Sequence, residues 1–353
     1  MVERANSIAQ LSCPVSLRTK DTVLLGHGSG GKLSAELIRE VFLPALDNFA
    51  LARLDDQAIV TINGQRLAFS TDSFVVKPLF FPGGDIGSLA VHGTVNDLAM
   101  GGAKPLFLSA AFIIEEGFSI DQLRRIVASM EQAASAAGVQ VVTGDTKVVE
   151  RGKGDGVFIN TTGIGVVASG VELSANYARP GDKVLLSGSI GEHGIAILAQ
   201  RAGIEFENTL ESDSTSLHTL VQDMLQAGPG IRCMRDPTRG GVSSALNEIA
   251  AQSQVGIELE ERAIPLREEV ASACELLGLD PLYVANEGKL VAIVAPENAD
   301  VVLQAMRQHS LGPLAQIIGT VRATKPPLVT MRTSLGTTRI VDMLAGDQLP
   351  RIC

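Results

Sequence analysis

The sequence predicts an α+β fold of two domains, in which helices cover mixed or antiparallel sheets, followed by a flexible C-terminal tail. The chain has 353 residues, more than one hydrophobic core usually organises, so we expect two cores. Asn63-Gly64 separates two apolar runs and predicts a β-hairpin, which is an antiparallel pair. Helical and extended patterns follow, without the repeated strand and crossover helix of a parallel sheet.

Residues 1–20 show no period and are predicted to be an N-terminal arm before a first domain over residues 21–168. Val23-Leu24-Leu25 predicts a short strand, and a glycine cluster then leads into a helix through Leu33, Leu37 and Val41. The other elements predicted here are strands over 58–62 and 66–71, a helix over 87–100, a strand over 106–114, a helix over 120–137, a strand over 139–143 that ends at Gly144-Asp145, and a strand over 157–167.

The turn residues Arg179-Pro180-Gly181-Asp182 lie near the start of a second α+β domain, predicted over residues 169–338. Its predicted elements are strands over 183–187, 255–259, 289–295 and 315–321, and helices over 191–202, 214–227 and 240–253. Residues 339–353 are predicted to be a mobile, solvated tail that carries a terminal thiol, Cys353. Its last nine or ten residues can span about 30 Å, enough to reach a cleft on this chain or on a neighbouring subunit.

Composition argues against several functional classes. The chain is 45% hydrophobic and 19% charged, which is typical of a soluble globular protein, and its net charge is −10. This acidity argues against a nucleic-acid partner and against an anionic membrane. The N-terminus never builds an apolar core of signal-peptide length. Because Cys13, Cys233, Cys274 and Cys353 are too widely spaced for a zinc ribbon or a disulfide framework, we expect a cytoplasmic protein.

The glycine cluster nearly matches a phosphate-binding P-loop. Gly26, Gly31 and Lys32 have the required spacing, but Leu33 stands where a P-loop needs Ser or Thr to ligate magnesium. A loop rich in exposed N–H groups remains, suited to phosphate contact through Gly28, Gly30 and Gly31. The alternative interpretation is a simple turn.

Three aspartates at the ends of predicted elements or inside a helix suggest hard oxygen ligands for Mg²⁺ on nucleotide phosphates. They are Asp72, Asp97 and Asp145. An isolated aspartate after a strand is more often a turn or cap residue, so that alternative stays open. Asp97 is harder to explain in this way, because it lies within an otherwise apolar helical pattern.

Two further polar motifs have both a structural and a functional interpretation. Asp236, between Arg235 and Arg239, precedes a predicted helix, where it can take part in anion binding or only cap the helix. Glu287 lies in the short polar island Asn286-Glu-Gly-Lys, which can also be a plain turn. His193 is too isolated to be assigned as a ligand.

Taken in order, the motifs resemble those of the HypE family of hydrogenase maturation factors, within the aminoimidazole-ribonucleotide synthetase (PurM-like) superfamily. They are His27-Gly-Ser-Gly-Gly, Ser70-Thr-Asp-Ser-Phe, Pro82-Gly-Gly-Asp-Ile-Gly, Val95-Asn-Asp-Leu-Ala-Met, Gly144-Asp-Thr-Lys, Arg235-Asp-Pro-Thr-Arg-Gly-Gly, Asn286-Glu-Gly-Lys and Pro350-Arg-Ile-Cys. The terminal motif is the family-specific one, because the aspartate motifs indicate only the superfamily.

The resemblance implies an enzyme that uses ATP to dehydrate a carbamoyl group on Cys353 to a thiocyanate, the source of a cyanide ligand for nickel-iron hydrogenase. It implies that Lys147 stabilises the transferred phosphoryl group, that Glu287 is the base, and that Arg351 moderates the field of the terminal carboxylate. It implies nucleotide binding by Gly28, Gly30, Gly31, Asp72, Asn96, Asp97, Asp145 and Asp236, and Mg²⁺ held by Asp72 and Asp97 with Asp85 or Asp145.

The resemblance also implies a homodimer through the N-terminal domains, a carbamoyl donor enzyme similar to HypF, and an acceptor complex similar to HypC–HypD. Two alternatives remain open at this point. One is another ATP-dependent kinase or ligase of the superfamily that acts on a small molecule, and the other is a noncatalytic assembly scaffold whose tail docks a partner.

Overall fold

The computed structural model describes residues 22–204, 210–346 and 351–353. Its first elements are a 3₁₀ turn (Leu25–Gly28) and a helix in three parts, α1 (Lys32–Leu37), a π segment (Ile38–Phe42) and α2 (Leu43–Leu46). The helix prediction is confirmed, but the strand predicted at Val23-Leu24-Leu25 is wrong. His27 Nδ1 accepts a hydrogen bond from the Leu24 amide at 2.9 Å and closes a turn there.

The first sheet contains the predicted hairpin. Ala58 pairs with Phe69 and Ile62 with Gln65, and the turn residues Asn63 and Gly64 have positive φ. The strands of this half are β1 (Ala58–Ile62), β2 (Gln65–Phe74), β3 (Phe80–Phe81), β4 (Gly84–Asp85), β5 (Ala103–Glu115), β6 (Gln140–Val149) and β7 (Val157–Val167). The main sheet has the order β1-β2-β7-β5-β6, with β3 and β4 forming a separate short pair.

Strand β6 does not end at Gly144-Asp145 as predicted. It pairs in parallel with β5 as far as Val149, opposite Glu115. A Cβ atom at Gly144 would lie 2.1 Å from the Ala110 carbonyl oxygen, so this glycine permits a close approach of two strands rather than a turn.

Helices cover one face of the first sheet and leave the other exposed. The helices are α3 (Ile86–Met100) and α4 (Ile120–Ala136), both close to their predicted bounds. On the uncovered face, the alternating outward positions include the exposed apolar side chains Phe69, Phe107, Ile113 and Ile164. An apolar sheet face of this kind usually marks an interaction surface.

The second sheet has the order β14-β13-β10-β12-β8-β11-β9. Its strands are β8 (Lys183–Leu186), β9 (Ile231–Arg235), β10 (Gly256–Glu260), β11 (Val291–Val294), β12 (Gln316–Arg322), β13 (Val329–Arg332) and β14 (Thr338–Ile340). The helices are α5 (Glu192–Ala202), α6 (His218–Ala227), α7 (Gly241–Ser253), α8 (Glu268–Leu277) and α9 (Ala299–Gln308).

The predicted strands and helices of this half have counterparts here, whereas β9, α8, α9, β13 and β14 were not predicted. The boundary predicted between domain and tail, at residues 338 and 339, falls inside β14.

A buried arginine joins the two halves. Arg235, at the end of β9, contacts Asp56 Oδ1 and Glu248 Oε2 at 2.8 Å each and donates to the Leu54 carbonyl. Asp56 and Leu54 precede the first sheet, whereas Glu248 lies on α7 of the second domain. One guanidinium of the second domain therefore binds acceptor groups of both domains. Breaking such a pair leaves an uncompensated buried charge, which is usually costly.

We therefore predict that Arg235→Met destabilises the protein by about 3–5 kcal/mol in urea unfolding. The matched control is Arg322→Met, which removes a surface pair with Glu258 and should cost less than about 1 kcal/mol. Equal effects of the two substitutions would contradict the interdomain role of Arg235.

Candidate active site at the domain junction

The last three residues lie against the first domain. The Val75 amide donates to the Cys353 carbonyl at 3.0 Å, and the Lys77 amide donates to the Arg351 carbonyl at 3.2 Å. Ile352 and Cys353 are 3% and 8% exposed. The prediction of a solvated thiol is therefore wrong for this arrangement, while the prediction that the tail can reach a cleft of its own chain is confirmed.

The cation beside the terminal cysteine is Arg239. A negative charge at Cys353 would raise the pKa of Arg239 more than any other neighbouring group does. Arg239 also donates to the Gly28 carbonyl at 3.1 Å and lies 3.9 Å from Asp72 Oδ1. Arg351, which was expected to moderate the terminal charge, instead pairs with Asp155. That expectation is wrong, because the ion pair directs the Arg351 guanidinium toward the β6–β7 loop.

Cys353 lines a cavity of about 270 Å³ between the glycine cluster and the second domain. The cavity is also lined by Leu25, Gly28, Ser29, Ser73, Val75, Arg239, Gly240, Tyr283, Ala285, Leu344, Arg351 and Ile352. Burial raises the pKa of the Cys353 thiol, Arg239 lowers it, and the charges of Glu287, Asp72 and Asp236 raise it further. The docked thiol is thus protonated at neutral pH and is a weak nucleophile.

Acidic side chains from distant parts of the sequence converge beside this cavity. They are Asp56, Asp72 on β2, Asp97 on α3, Asp236 and Glu287. Burial raises the pKa of Asp56 to about 6. Burial, followed by the charges of Asp236, Asp72 and Asp56, raises the pKa of Asp97 well above its ordinary value. The pKa of Asp236 is raised by burial and next by Asp56. Mutual repulsion of this kind is a common property of functional sites.

Glu287 is the most completely buried member of the acidic cluster. Burial and the charges of Asp236 and Asp72 raise its pKa well above the ordinary value. Its Oε1 has no hydrogen-bond partner among the described residues. The backbone of Glu287 is held firmly, because its amide donates to Asp213 Oδ1 at 3.0 Å and its carbonyl accepts from Asn96 Nδ2 at 3.3 Å. A positioned, unpartnered carboxyl group is suited to proton transfer.

Asn96 positions the backbone of neighbouring residues. Its Nδ2 donates to the Thr215 and Glu287 carbonyls, and its Oδ1 accepts from the Leu217 amide at 2.7 Å. These contacts occupy both ends of a buried amide, and the role of Asn96 in nucleotide binding stays a prediction.

Asp85 also has a structural role. As the N-cap of α3, its Oδ1 accepts from the amides of Gly87 and Ser88 at 2.8 and 3.2 Å. This contact stabilises the helix start. Oδ1 of Asp85 thus serves two backbone donors, and its role as a metal ligand stays a prediction.

The glycine cluster lies close to the acidic site, and two of its glycines permit tight backbone contact. A Cβ at Gly30 would lie 2.6 Å from the Arg239 carbonyl oxygen, and one at Gly31 would lie 2.3 Å from the Leu344 carbonyl oxygen. Gly28 has open space around it and lines the cavity. Gly30 and Gly31 thus have a packing explanation, whereas Gly28 is accessible to a ligand.

Lys147 and Asp145 lie elsewhere, on strand β6 at the edge of the sheet. Their side chains are 69% and 62% exposed and pair with each other at 2.8 Å. Lys147 and a backbone amide lower the pKa of Asp145. A single chain does not bring these two residues to the acidic cluster.

The acidic cluster fits a cation that is bound jointly with phosphate oxygens. No three metal-binding side chains of the described residues are close enough to hold an ion by themselves. However, Asp72, Asp97 and Asp236 supply hard oxygen donors whose raised pKa values would be relieved by a positive charge. Mg²⁺ commonly takes one or two carboxylates and fills its coordination with phosphate and water.

Sequence reasoning missed three contributors to this site. Asp56 was available as part of the Asp55-Asp56 pair before the hairpin, but its contact with Arg235 depends on the fold. Asp213 and His193 hold the backbones of Glu287 and Ile352. Neither lies in a motif with a recognised spacing, so the sequence held no signal for them.

The domain matches agree with the fold and the site. The model described as AIR synthase related protein, N-terminal domain, matches residues 54–167, and the model described as AIR synthase related protein, C-terminal domain, matches residues 179–330. Together with the two sheets and the acidic junction between them, these matches define a two-domain protein related to AIR synthase.

Relatives define the family more narrowly. Carbamoyl dehydratase HypE of Azotobacter vinelandii is 60% identical over 332 residues, which cover 94% of this chain and 97% of that protein. A crystal structure of a HypE–HypF complex matches with a TM-score of 0.83 and 51% identity, covering 87% of this chain and 99% of that one. A structure of the hydrogenase maturation protein HypE in complex with ATP has a TM-score of 0.79 and 51% identity, covering 94% and 100%.

The chain belongs to the HypE family of carbamoyl dehydratases, which are hydrogenase maturation enzymes. The predicted fold class and the resemblance are confirmed. The kinase or ligase alternative and the scaffold alternative are not favoured. Within the described ranges, no helix is both long enough and apolar enough to cross a bilayer.

We predict that Asp97→Asn stabilises the metal-free protein at pH 8 and flattens its dependence on pH. Raised folded-state pKa values, such as about 6 against an ordinary 3.8 for Asp56, stabilise the fold below about pH 4. This stabilisation is lost as the pH rises through the folded-state values. Removing the Asp97 charge should therefore raise the melting temperature most at high pH.

The control is Asp121→Asn, which changes an exposed carboxylate on α4 that pairs with Arg124. It should leave the pH dependence of the melting temperature unchanged. If Asp97→Asn lowers the melting temperature at pH 8 by more than this control does, the electrostatic account of the acidic cluster is wrong.

Proposed function

We propose that this chain uses ATP to dehydrate a carbamoyl group carried on the Cys353 sulfur to a thiocyanate, which supplies a cyanide ligand for a nickel-iron hydrogenase. The observation that carries this proposal is the buried terminal thiol in a pocket beside Arg239 and the acidic cluster. Membership of the carbamoyl dehydratase family supports the same reaction.

The proposed reaction has two steps that balance. The carbamoyl oxygen attacks the γ-phosphorus of ATP, the bond to the β–γ bridging oxygen breaks, and ADP leaves while one N–H proton is lost. The resulting S–C(OPO₃)=NH group then loses its remaining N–H proton, its C–O bond breaks, and phosphate departs with the original carbamoyl oxygen. The products are S–C≡N, ADP and phosphate.

Several residues of the chain are suited to these steps. We assign the ATP phosphates to the neighbourhood of Gly28, Arg239 and the carboxylates Asp72, Asp97 and Asp236, with Gly30 and Gly31 shaping the loop. Bound Mg²⁺ would neutralise phosphate charge during transfer. Asp72 and Asp97 are the proposed ligands, and Asp236 lies close enough to influence both.

Glu287 is proposed to accept the nitrogen proton. Burial, followed by the neighbouring negative charges, keeps its pKa raised in the ligand-free protein, which favours the protonated acid over the base. Cations that bind with the nucleotide would lower this pKa and release the proton. The base would thus become competent only when ATP is in place, which limits unproductive chemistry on an empty site.

A homodimer would bring Lys147 and Asp145 to a nucleotide. Both lie on the exposed edge strand of the first sheet, whose uncovered face carries exposed apolar side chains. We propose that two copies associate through this face, and that Lys147 of one copy stabilises the phosphoryl group in the site of the other. The predicted role of Asp145 as a metal ligand would then also be exerted across the dimer.

The docked thiol cannot receive a carbamoyl group in place, because it is buried and protonated. We therefore propose that the tail leaves the pocket to meet a HypF-like carbamoyltransferase, returns for dehydration, and leaves again to meet a HypC–HypD-like acceptor of cyanide. Cys233, Cys274 and Cys353 are unpaired. Free thiols suit the reducing cytoplasm, where we place the protein.

We predict that carbamoyl-loaded protein treated with Mg-ATP loses one water from the Cys353 peptide and transfers the carbamoyl oxygen to phosphate. An ¹⁸O-labelled carbamoyl group should yield ¹⁸O-phosphate in a single turnover, measured by mass spectrometry. Cys353→Ser provides the control, since it cannot form a thiocyanate. Unlabelled phosphate with full thiocyanate formation would exclude the phosphorylated intermediate.

We predict that Lys147→Ala and Glu287→Gln each abolish single-turnover dehydration, and that mixing the two variants restores about a quarter of the sites. Restoration occurs because a mixed dimer contains one site with both native residues. Lys104→Ala, which changes a lysine at the start of β5, is the control and should retain activity. If mixing after subunit exchange restores nothing, Lys147 does not act across a dimer.

A further inference from the structure

A buried histidine of the second domain contacts the backbone of the docked tail. His193, at the start of α5, is completely buried. Its Nε2 lies 2.8 Å from the Ile352 carbonyl oxygen, and its Nδ1 lies 2.7 Å from Ser212 Oγ. The Phe81 ring packs edge-on against the imidazole at 5.6 Å between centroids. The imidazole is therefore held on three sides.

The two contacts define which nitrogen carries the proton. A carbonyl oxygen can only accept, so Nε2 must be the donor toward Ile352. Burial lowers the pKa of His193, which leaves the ring neutral and its Nδ1 bare. Ser212 Oγ then donates to Nδ1, and the Ser214 amide donates to the same oxygen at 3.1 Å. This short relay orients the N–H of His193 toward the tail.

The contact falls at the position in the tail that the first domain does not bind. Val75 and Lys77 donate to the carbonyls of Cys353 and Arg351. The intervening Ile352 carbonyl has no partner among the described residues of the first domain and is bound by His193 instead. The second domain thus binds the segment at the Ile352 carbonyl through His193 and also at the Arg351 carbonyl through Arg201.

We propose that His193 is a positioning residue that sets the register of the tail, so that the Cys353 side chain lies beside Arg239 and the acidic cluster during dehydration. A slip by one residue would move the cysteine side chain away from this position. The proposal rests on the proposed function in one respect only, which is that the docked tail is the arrangement that reacts.

The first test measures docking without any catalytic step. Full-length His193→Leu, His193→Gln and wild-type protein are treated with iodoacetamide, and alkylation of the Cys353 peptide is followed by mass spectrometry. We expect His193→Leu to raise the alkylation rate about five- to tenfold, the factor expected when one buried hydrogen bond is lost. His193→Gln should give a smaller increase, because a glutamine side chain also offers an N–H donor.

The matched control is His92→Leu, which removes a partly buried histidine on α3 that contacts Ser214 at 3.0 Å and makes no hydrogen bond to the described tail residues 351–353. Its alkylation rate should equal that of wild type. Equal rates for His193→Leu and wild type overturn the proposal. An equal increase in both leucine variants also overturns it, since the effect would then be general loosening.

The second test separates this proposal from the proposed function. Carbamoyl-loaded variants are given Mg-ATP, and single-turnover thiocyanate formation is measured at several ATP concentrations. His193→Leu should lower the maximal rate, because the carbamoyl group is no longer held in register, with the ATP concentration for half-maximal rate unchanged. If wild type forms no thiocyanate but the alkylation difference persists, the proposed function fails while tail positioning by His193 stands.

Discussion

Five carboxyl groups share one junction between two domains, and the repulsion between them constrains the rest of the site. The groups are Asp56, Asp72, Asp97, Asp236 and Glu287, and burial raises the pKa of each. In a medium less polar than water, such charges cannot all persist without counterions. Arg235 and Arg239 offset part of the negative charge. Protonation of carboxyl groups removes more of it in the ligand-free protein. Cations that arrive with a nucleotide would displace those protons.

The same junction explains why a thiol is held where it is a poor nucleophile. Burial and the nearby negative charges keep Cys353 protonated, which is unhelpful for accepting a carbamoyl group. The same burial would favour the proposed dehydration of a carbamoyl group already attached, because it limits the access of water. Loading and dehydration therefore demand opposite surroundings for one sulfur atom, and movement of the tail can provide both.

Local patterns predicted much of the fold and several members of the site. The Asn63-Gly64 hairpin, α3 and α4 follow from turn chemistry and periodicity, which are encoded within a few residues. Motif resemblance gave Asp72, Asp97, Asp236 and Glu287, which the structure brings together.

Contacts between distant segments could not be predicted in this way. Asn96 and Asp85 belong to recognisable motifs, yet one bridges backbones and the other caps a helix. Arg351 was expected to moderate the negative charge beside the terminal thiol, but it pairs with Asp155. Arg239 lies beside the thiol instead. Propensity also failed at Gly144, where a glycine that suggests a turn permits two strands to approach each other.

The tail is hydrogen-bonded to the first domain at Leu344 and Gly346, only a few residues before its last residue. Ser29 Oγ donates to the Gly346 carbonyl at 3.0 Å, and the Lys32 amide donates to the Leu344 carbonyl at 2.9 Å. Four residues separate Gly346 from Arg351. The reacting group is thus a tethered ligand whose effective concentration at the pocket lies in the millimolar range or above. A free peptide or small amide used as an inhibitor would have to displace this tethered tail from the pocket. A compound that binds the nucleotide side of the pocket would compete only with free nucleotide, which is not tethered.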